Sequence, residues 1–198
     1  MIAIINYEAG NLASVSNALQ RLTIPHTITN KESELDKADG IIFPGVGHAS
    51  PAMESLKQNG LDRWLQHTQK PVLGICLGMQ LLYESSEEGN AEGLGVIPGR
   101  LKKFDSSQHK VPHMGWNTFS DVNAHPLLKG FGTGEYFYYV HSYYAPKNEF
   151  TTASCHYIND FSSVVCRDNY MGVQFHPEKS GKEGSLLLQN FIQIVSND

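Results

Sequence analysis

Long apolar runs are missing from this sequence. No stretch reaches the ~20 consecutive apolar residues that a membrane-spanning helix requires, so no membrane role is expected. The opening segment, MIAIINYEAGN, has no basic leader and too short an apolar run for a signal peptide. Cysteine is scarce, three residues in 198, and an odd number of scattered thiols builds no disulfide framework. A reducing compartment, the cytoplasm, is therefore expected. Blocks of like charge are absent too. Lys and Arg total 15 against 20 Asp and Glu, a net charge of −5, without the concentrated positive charge that nucleic acid demands. No internal repeat, low-complexity segment or linker-like shift appears, so residues 1–198 read as one domain. A chain of this length buries about 70% of its unfolded surface and needs no disulfide or metal staple.

What is present is alternation. Met1–Asn6 is a short apolar strand, and Gly10 and Asn11 open a helix with Leu12, Val15, Leu19 and Leu22 at spacings of three and four, stopped by Pro25. Gly40–Phe43 is a second strand, running into Pro44-Gly45-Val46-Gly47. Ser50 is placed to cap a helix with Pro51 in its first turn, and Leu61–Leu65 extends or follows it. Pro71–Ile75 is a third strand and Leu77–Glu84 reads as a helix. This order predicts an α/β fold with a mostly parallel central sheet flanked by helices. Between Gly89 and Tyr170 the character changes to Gly, Tyr, Ser and Asn with β-type runs, Tyr136–Val140 and Ser162–Cys166, which predicts an additional antiparallel sheet. From Lys182 a final helix carries Leu188, Phe191, Ile192 and Val195 on one face.

The segment richest in chemistry is Gly74-Ile75-Cys76-Leu77-Gly78-Met79-Gln80, where an apolar strand passes directly into a helix. It has the form of a nucleophile elbow with Cys in place of Ser. Both glycines are needed because Cβ atoms there would crowd neighbouring backbone. The unpaired N–H groups at the helix start favour a thiolate. A buried free Cys acting as a small hydrophobe is the competing reading. A nucleophilic thiol needs a base and the base an orienter. His176-Pro177-Glu178 follows the apolar strand Met171–Phe175 and offers both; in an extended segment residues two apart share a side. A surface turn is the alternative. The Pro44–Gly47 loop could turn a backbone N–H toward a developing oxyanion, with Leu77 N–H as second donor, or be an ordinary glycine-rich loop.

Other features read as bland. Gly93-x-Gly95 and Gly130-x-Gly132-x-Gly134 lack the placement of phosphate loops. His109 and His113 do not have zinc-site spacing, and no metal is expected. Tyr136–Tyr144 is a strand rather than a stacking platform, and Cys155 and Cys166 are core thiols.

Together the elbow, His176-Pro177-Glu178 and the glycine loop resemble the class I, triad-type glutamine amidotransferases, and the likeness runs from the first strand to the last helix. The resemblance implies that family's fold and a glutaminase without cofactor. Cys76 would be the nucleophile, His176 the acid and base, and Glu178 its orienter. Val46 and Leu77 would hold the oxyanion, and Gly47, Gln80, Ser142 and Tyr143 the substrate glutamine. Pro112-His113-Met114-Gly115-Trp116-Asn117 and Tyr139-Val140-His141-Ser142-Tyr143-Tyr144 further resemble the free-standing glutaminase subunits that pass ammonia to a cyclase of (β/α)8-barrel fold. That implies a heterodimer with Trp116, Tyr136 and Lys179 at the interface or ammonia path. Trp116 as a buried core residue and Lys179 as a solvated charge stand beside that reading. A glutaminase serving another synthase and a glutamine-binding regulatory subunit are the alternatives.

Overall fold

The computed structural model describes residues 1–7 and 11–197. In chain order the elements begin β1 (Ile2–Ile5), α1 (Leu12–Arg21), β2 (His26–Thr29), α2 (Glu32–Leu35), β3 (Gly40–Gly45), α3 (Ala49–Gln58), α4 (Leu61–His67), β4 (Val72–Cys76) and α5 (Leu77–Leu81). They continue with β5 (Tyr83–Ser86), β6 (Ile97–Lys103), β7 (His113–Val122), β8 (Tyr136–His141), β9 (Tyr143–Tyr144), β10 (Thr151–Tyr157), β11 (Asn159–Arg167), β12 (Tyr170–Val173) and α6 (Gly181–Asn197).

Nine strands form one sheet in the order β2-β1-β3-β4-β12-β11-β10-β7-β8. The pairs from β2 to β12 are parallel, and β11, β10, β7 and β8 extend the sheet antiparallel. A separate sheet, β5-β6-β9, joins one parallel and one antiparallel pair. All four residues of β1 and all five of β4 are buried, as expected of parallel strands covered on both faces. One face packs Leu19 of α1 and Phe191 of α6 with Phe137 and Phe175. The other packs Leu56, Leu65 and Met79 of α3, α4 and α5 with Ile41 and Phe43.

Two local expectations are corrected. The helix after Cys76 ends at Leu81 instead of Glu84, because Tyr83 turns into β5 and pairs with Ile97; Gly95 N–H also bonds Tyr83 O at 3.1 Å. Ser50 does not cap α3. The Ala49 N–H is met instead by the Glu88 carboxylate, 2.8 Å away across 39 residues of sequence. Asn11 does cap α1, accepting from Ser14 N–H, whereas Gly10, expected beside it, lies outside the described residues.

Candidate active site

Strand β4 delivers Cys76 to the carboxyl edge of the parallel sheet, the usual place for ligands in open α/β folds. Cys76 has φ 53° and ψ −107°, a region where a side chain is strained and which elbows adopt to project a nucleophile. The flanking glycines permit this. A Cβ on Gly74 would lie 2.8 Å from Met79 N, and one on Gly78 only 1.8 Å from Phe43 O. The β3–β4 register sets Gly45 opposite Cys76, so Val46 and Gly47 follow immediately beside the thiol. Gly47, at φ +101°, takes the turn that a side chain would resist.

The chain leaving β12 brings His176 to the same edge. His176 N–H bonds Tyr138 O of β8 at 2.9 Å. Ser180 Oγ donates to His176 O at 2.7 Å and accepts from Tyr138 N–H at 3.0 Å. Pro177 then begins a short 3-10 turn, Pro177–Lys179. An extended backbone was expected to put His176 and Glu178 on one side; the tight turn does so instead, curling Glu178 back until Oε1 lies 2.8 Å from His176 Nδ1. Both side chains are 2% exposed. Burial alone lowers an imidazole's pKa, but the thiol of Cys76 and the carboxylate of Glu178 outweigh it and raise His176 well above 6.5, to about 10. His176 Nε2 makes no hydrogen bond among the described residues and lines the same cleft as Cys76. The coupling is thus one of proximity, with Nε2 left able to give or take a proton.

The cleft has a volume of about 300 Å³, the scale of a small-metabolite site. Of the sequence-predicted residues it gathers Val46, Gly47, Cys76, Leu77, Gln80, Ser142, Tyr143 and His176. Glu178 sits behind His176. Gln80 Nε2 donates to Tyr143 O at 3.0 Å and to Gln174 Oε1 at 2.9 Å. Sequence reasoning missed Glu88 and His48, which also line the cleft and bond each other at 3.1 Å. Glu88 comes from the segment after β5, and no local pattern ties it to this loop. It missed Gln174 as well, although Gln174 stands two residues before His176 in the run that the sequence reads as a strand, where alternate residues share a side. Among the described residues no cluster of His, Cys, Asp or Glu could hold a metal ion.

Trp116, Tyr136 and Lys179 lie outside the cleft. Trp116 is 55% exposed and Tyr136 58%, which overturns the buried-core reading of Trp116. Its ring packs edge-on to Tyr138 at 5.9 Å, and Lys179 Nζ lies over the Tyr138 ring, 5.8 Å from its centroid. Cys155 is fully buried, and burial pushes the thiols of Cys155 and Cys166 up, to about 12 and about 11.

The family model for class I glutamine amidotransferases matches residues 3–194. The chain belongs to that family. It is 48% identical over 195 residues to imidazole glycerol phosphate synthase subunit HisH of Bacteroides fragilis strain YCH46, covering 98% of this chain and 99% of that one. Against the protein of the same name from Archaeoglobus fulgidus the identity is 47% over 197 residues, with 98% and 99% covered. The fold is also that of a crystallised glutamine amidotransferase, at a TM-score of 0.77 and 16% identity over 99% of this chain and 100% of that one. A PurLQS structure from Thermotoga maritima superposes at a TM-score of 0.71 and 18% identity, with 98% of each chain covered. An amidotransferase elbow, oriented histidine and glycine loop are thus the setting in which the cleft is to be read.

Proposed function

We propose that this chain is the glutaminase subunit of an imidazole glycerol phosphate synthase, with residues 1–198 forming one amidotransferase domain. The observation that carries the reading is a thiol on a strained elbow facing a buried imidazole whose far nitrogen is held by a carboxylate at 2.8 Å. Near-full-length identity to chains named as that subunit supports it.

In the reaction, Cys76 Sγ attacks the side-chain amide carbon of glutamine. The oxyanion forms against the N–H groups of Val46 and Leu77. His176, as imidazolium, protonates the amide nitrogen; the C–N bond breaks and ammonia leaves, giving a γ-glutamyl thioester. Neutral His176 then takes a proton from water, whose oxygen attacks the thioester carbon. The C–S bond breaks, glutamate departs and the thiolate–imidazolium pair returns. Glu178 holds His176 in the productive orientation through both steps. Gly47, Gln80, Ser142 and Tyr143 line the space for glutamine, and the carboxylate of Glu88 is placed to receive its ammonium group. No cofactor or metal enters this scheme.

Ammonia released to neutral water becomes ammonium, which is not nucleophilic, so the useful product is ammonia handed on directly. The partner is proposed to be a cyclase subunit of (β/α)8-barrel fold that makes imidazole glycerol phosphate and aminoimidazole carboxamide ribotide in cytoplasmic histidine biosynthesis. Trp116, Tyr136 and Lys179 form the docking face. Aromatic residues are favoured at such anchors, and His176 N–H bonded to Tyr138 O ties that face to the site. Mixing this chain with the cyclase and following glutamine-dependent product formation tests the proposal. Product should appear only when both proteins and glutamine are present. Glutamine hydrolysis without ammonia transfer to that cyclase would point to service of another synthase, and no hydrolysis at all would defeat the reading.

A further inference from the structure

Behind the cleft, a line of buried and half-buried polar groups has its hydrogen-bond direction fixed throughout. At one end, Asn117 Oδ1 accepts from Thr118 N–H at 2.8 Å. Its Nδ2 therefore faces His113, whose Nε2 accepts at 3.3 Å. His113 Nδ1 is then the protonated nitrogen and donates to His141 Nε2 at 2.9 Å. His141 in turn donates from Nδ1 to the carbonyl of Tyr143 at 2.8 Å. Burial favours the neutral form of both imidazoles, as this order of donors requires.

The Tyr143 carbonyl can only accept, and it takes a second bond, from Gln80 Nε2. The other hydrogen of that same nitrogen goes to Gln174. Gln174 must therefore present its oxygen to Gln80 and its Nε2 to the opposite side, where Cys76 Sγ lies 3.8 Å away. Gln174 is fully buried, and its own backbone N–H is engaged by Ser163 O. Its carboxamide has no freedom to rotate without breaking the bond to Gln80.

We infer that Gln174 is a positioning residue of the reaction, holding an N–H donor on the sulfur of Cys76 in an orientation set by Gln80 and the Tyr143 carbonyl. A donor there favours the thiolate over the thiol and fixes the sulfur toward the cleft. The other titratable groups around the sulfur are His176, with Glu178 behind it, His48, Glu88, His141 and Tyr143, which line the cleft with it, and the buried Tyr7. All of these stay in place when Gln174 alone is changed. The inference rests on Cys76 being the nucleophile.

The test is Gln174→Met, which keeps chain length and charge but removes the donor, with Gln174→Asn, which withdraws the amide by one methylene, as the second variant should the first fail to fold. Alkylation of Cys76 by iodoacetamide is followed by mass spectrometry from pH 5 to 9, beside glutamine kcat, KM and the melting temperature. The pH of half-maximal alkylation should rise by about one unit relative to the unsubstituted chain, with kcat about tenfold lower and KM within about twofold. An unchanged alkylation profile, with kcat falling only as far as stability falls, would overturn the inference and leave the nucleophile untouched. Glutamine hydrolysis persisting in Cys76→Ser would instead overturn the nucleophile assignment and this inference with it.

Discussion

Gly78→Ala offers a stringent perturbation of the elbow, because its cost can be worked from one contact. A Cβ at Gly78 would stand 1.8 Å from the carbonyl oxygen of Phe43 and 2.8 Å from its carbon. Real Cβ atoms are almost never closer than 3.0 Å, so β3 and α5 must separate by about 1.2 Å or more, and the obstacle is backbone, not a side chain that can swing away. Overpacking of this kind costs about 1–3 kcal/mol, which for a chain of this size lowers the melting temperature by roughly 2–12 °C. The functional cost is larger. Phe43 leads directly into Pro44–Gly47, so the displaced strand carries the loop proposed to hold the oxyanion away from Cys76, and a misplacement of about 1 Å costs about 100-fold in rate. Gly134→Ala is the matched control, since nothing lies within 4 Å of its would-be Cβ and its φ is not in the left-handed region. The assay is glutamate release with and without the cyclase, alongside a circular-dichroism melt. Glutaminase activity of Gly78→Ala within about twofold of the unsubstituted chain, at a temperature where it remains folded, would refute the idea that this contact holds loop and thiol in register.

Three further outcomes are expected. Glu178→Gln should lower kcat by about 100-fold or more, because the carboxylate that favours the charged, oriented imidazole is gone; stability should change little if the amide keeps the 2.8 Å contact, and a near-normal kcat would show that His176 needs no orienter. His113 and His141 sit at about 4 and about 3 against 6.5 for a free imidazole. The unfolded chain therefore takes up protons that the fold refuses as pH drops below 6.5, and stability should decline from there toward pH 4. The slope should approach about 1.4 kcal/mol per pH unit for each ring, read by urea denaturation between pH 7.5 and 5. His176, raised to about 10, acts with the opposite sign: the stability it lends is full below 6.5 and is lost as pH rises from there toward 10, so it lowers the upper end of the scan and leaves the decline below about pH 6 to the two rings. A flat profile would show that the two rings are not buried neutral. Trp116→Ala should leave the isolated chain's melting temperature within about 2 °C, as exposed positions usually do, while weakening cyclase binding by about tenfold or more in titration calorimetry; unchanged binding would remove Trp116 from the docking face.

Much of this fold is legible in the sequence because the parallel strands are unbroken apolar runs and their helices carry regular stripes. Met1–Asn6, Gly40–Phe43 and Pro71–Ile75 all appear as strands within a residue or two. The elbow is legible for a covalent reason: the two glycines, the thiol and the helix start are consecutive, and their steric demands are local. What sequence could not show depends on partners far along the chain. Glu88 replaces Ser50 as the cap of α3 from 39 residues away. Tyr83 leaves its helix because Ile97 offers a strand. Trp116 alternates on a sheet-edge hairpin whose outer side is known only once β8 is seen at the end of the sheet. The spacing of His109 and His113 excludes a zinc site, but that His113 and His141 form a directed pair is visible only in the β7–β8 register that sets them opposite one another.

The central claim is that Cys76 alone among the three thiols forms the bond to glutamine. Incubation with a thiol-alkylating glutamine analogue, followed by peptide mass spectrometry, tests it directly. One adduct is expected, on Cys76, prevented by excess glutamine and accompanied by complete loss of glutamine hydrolysis. Equal labelling of Cys76, Cys155 and Cys166, or hydrolysis that survives full modification of Cys76, would contradict it.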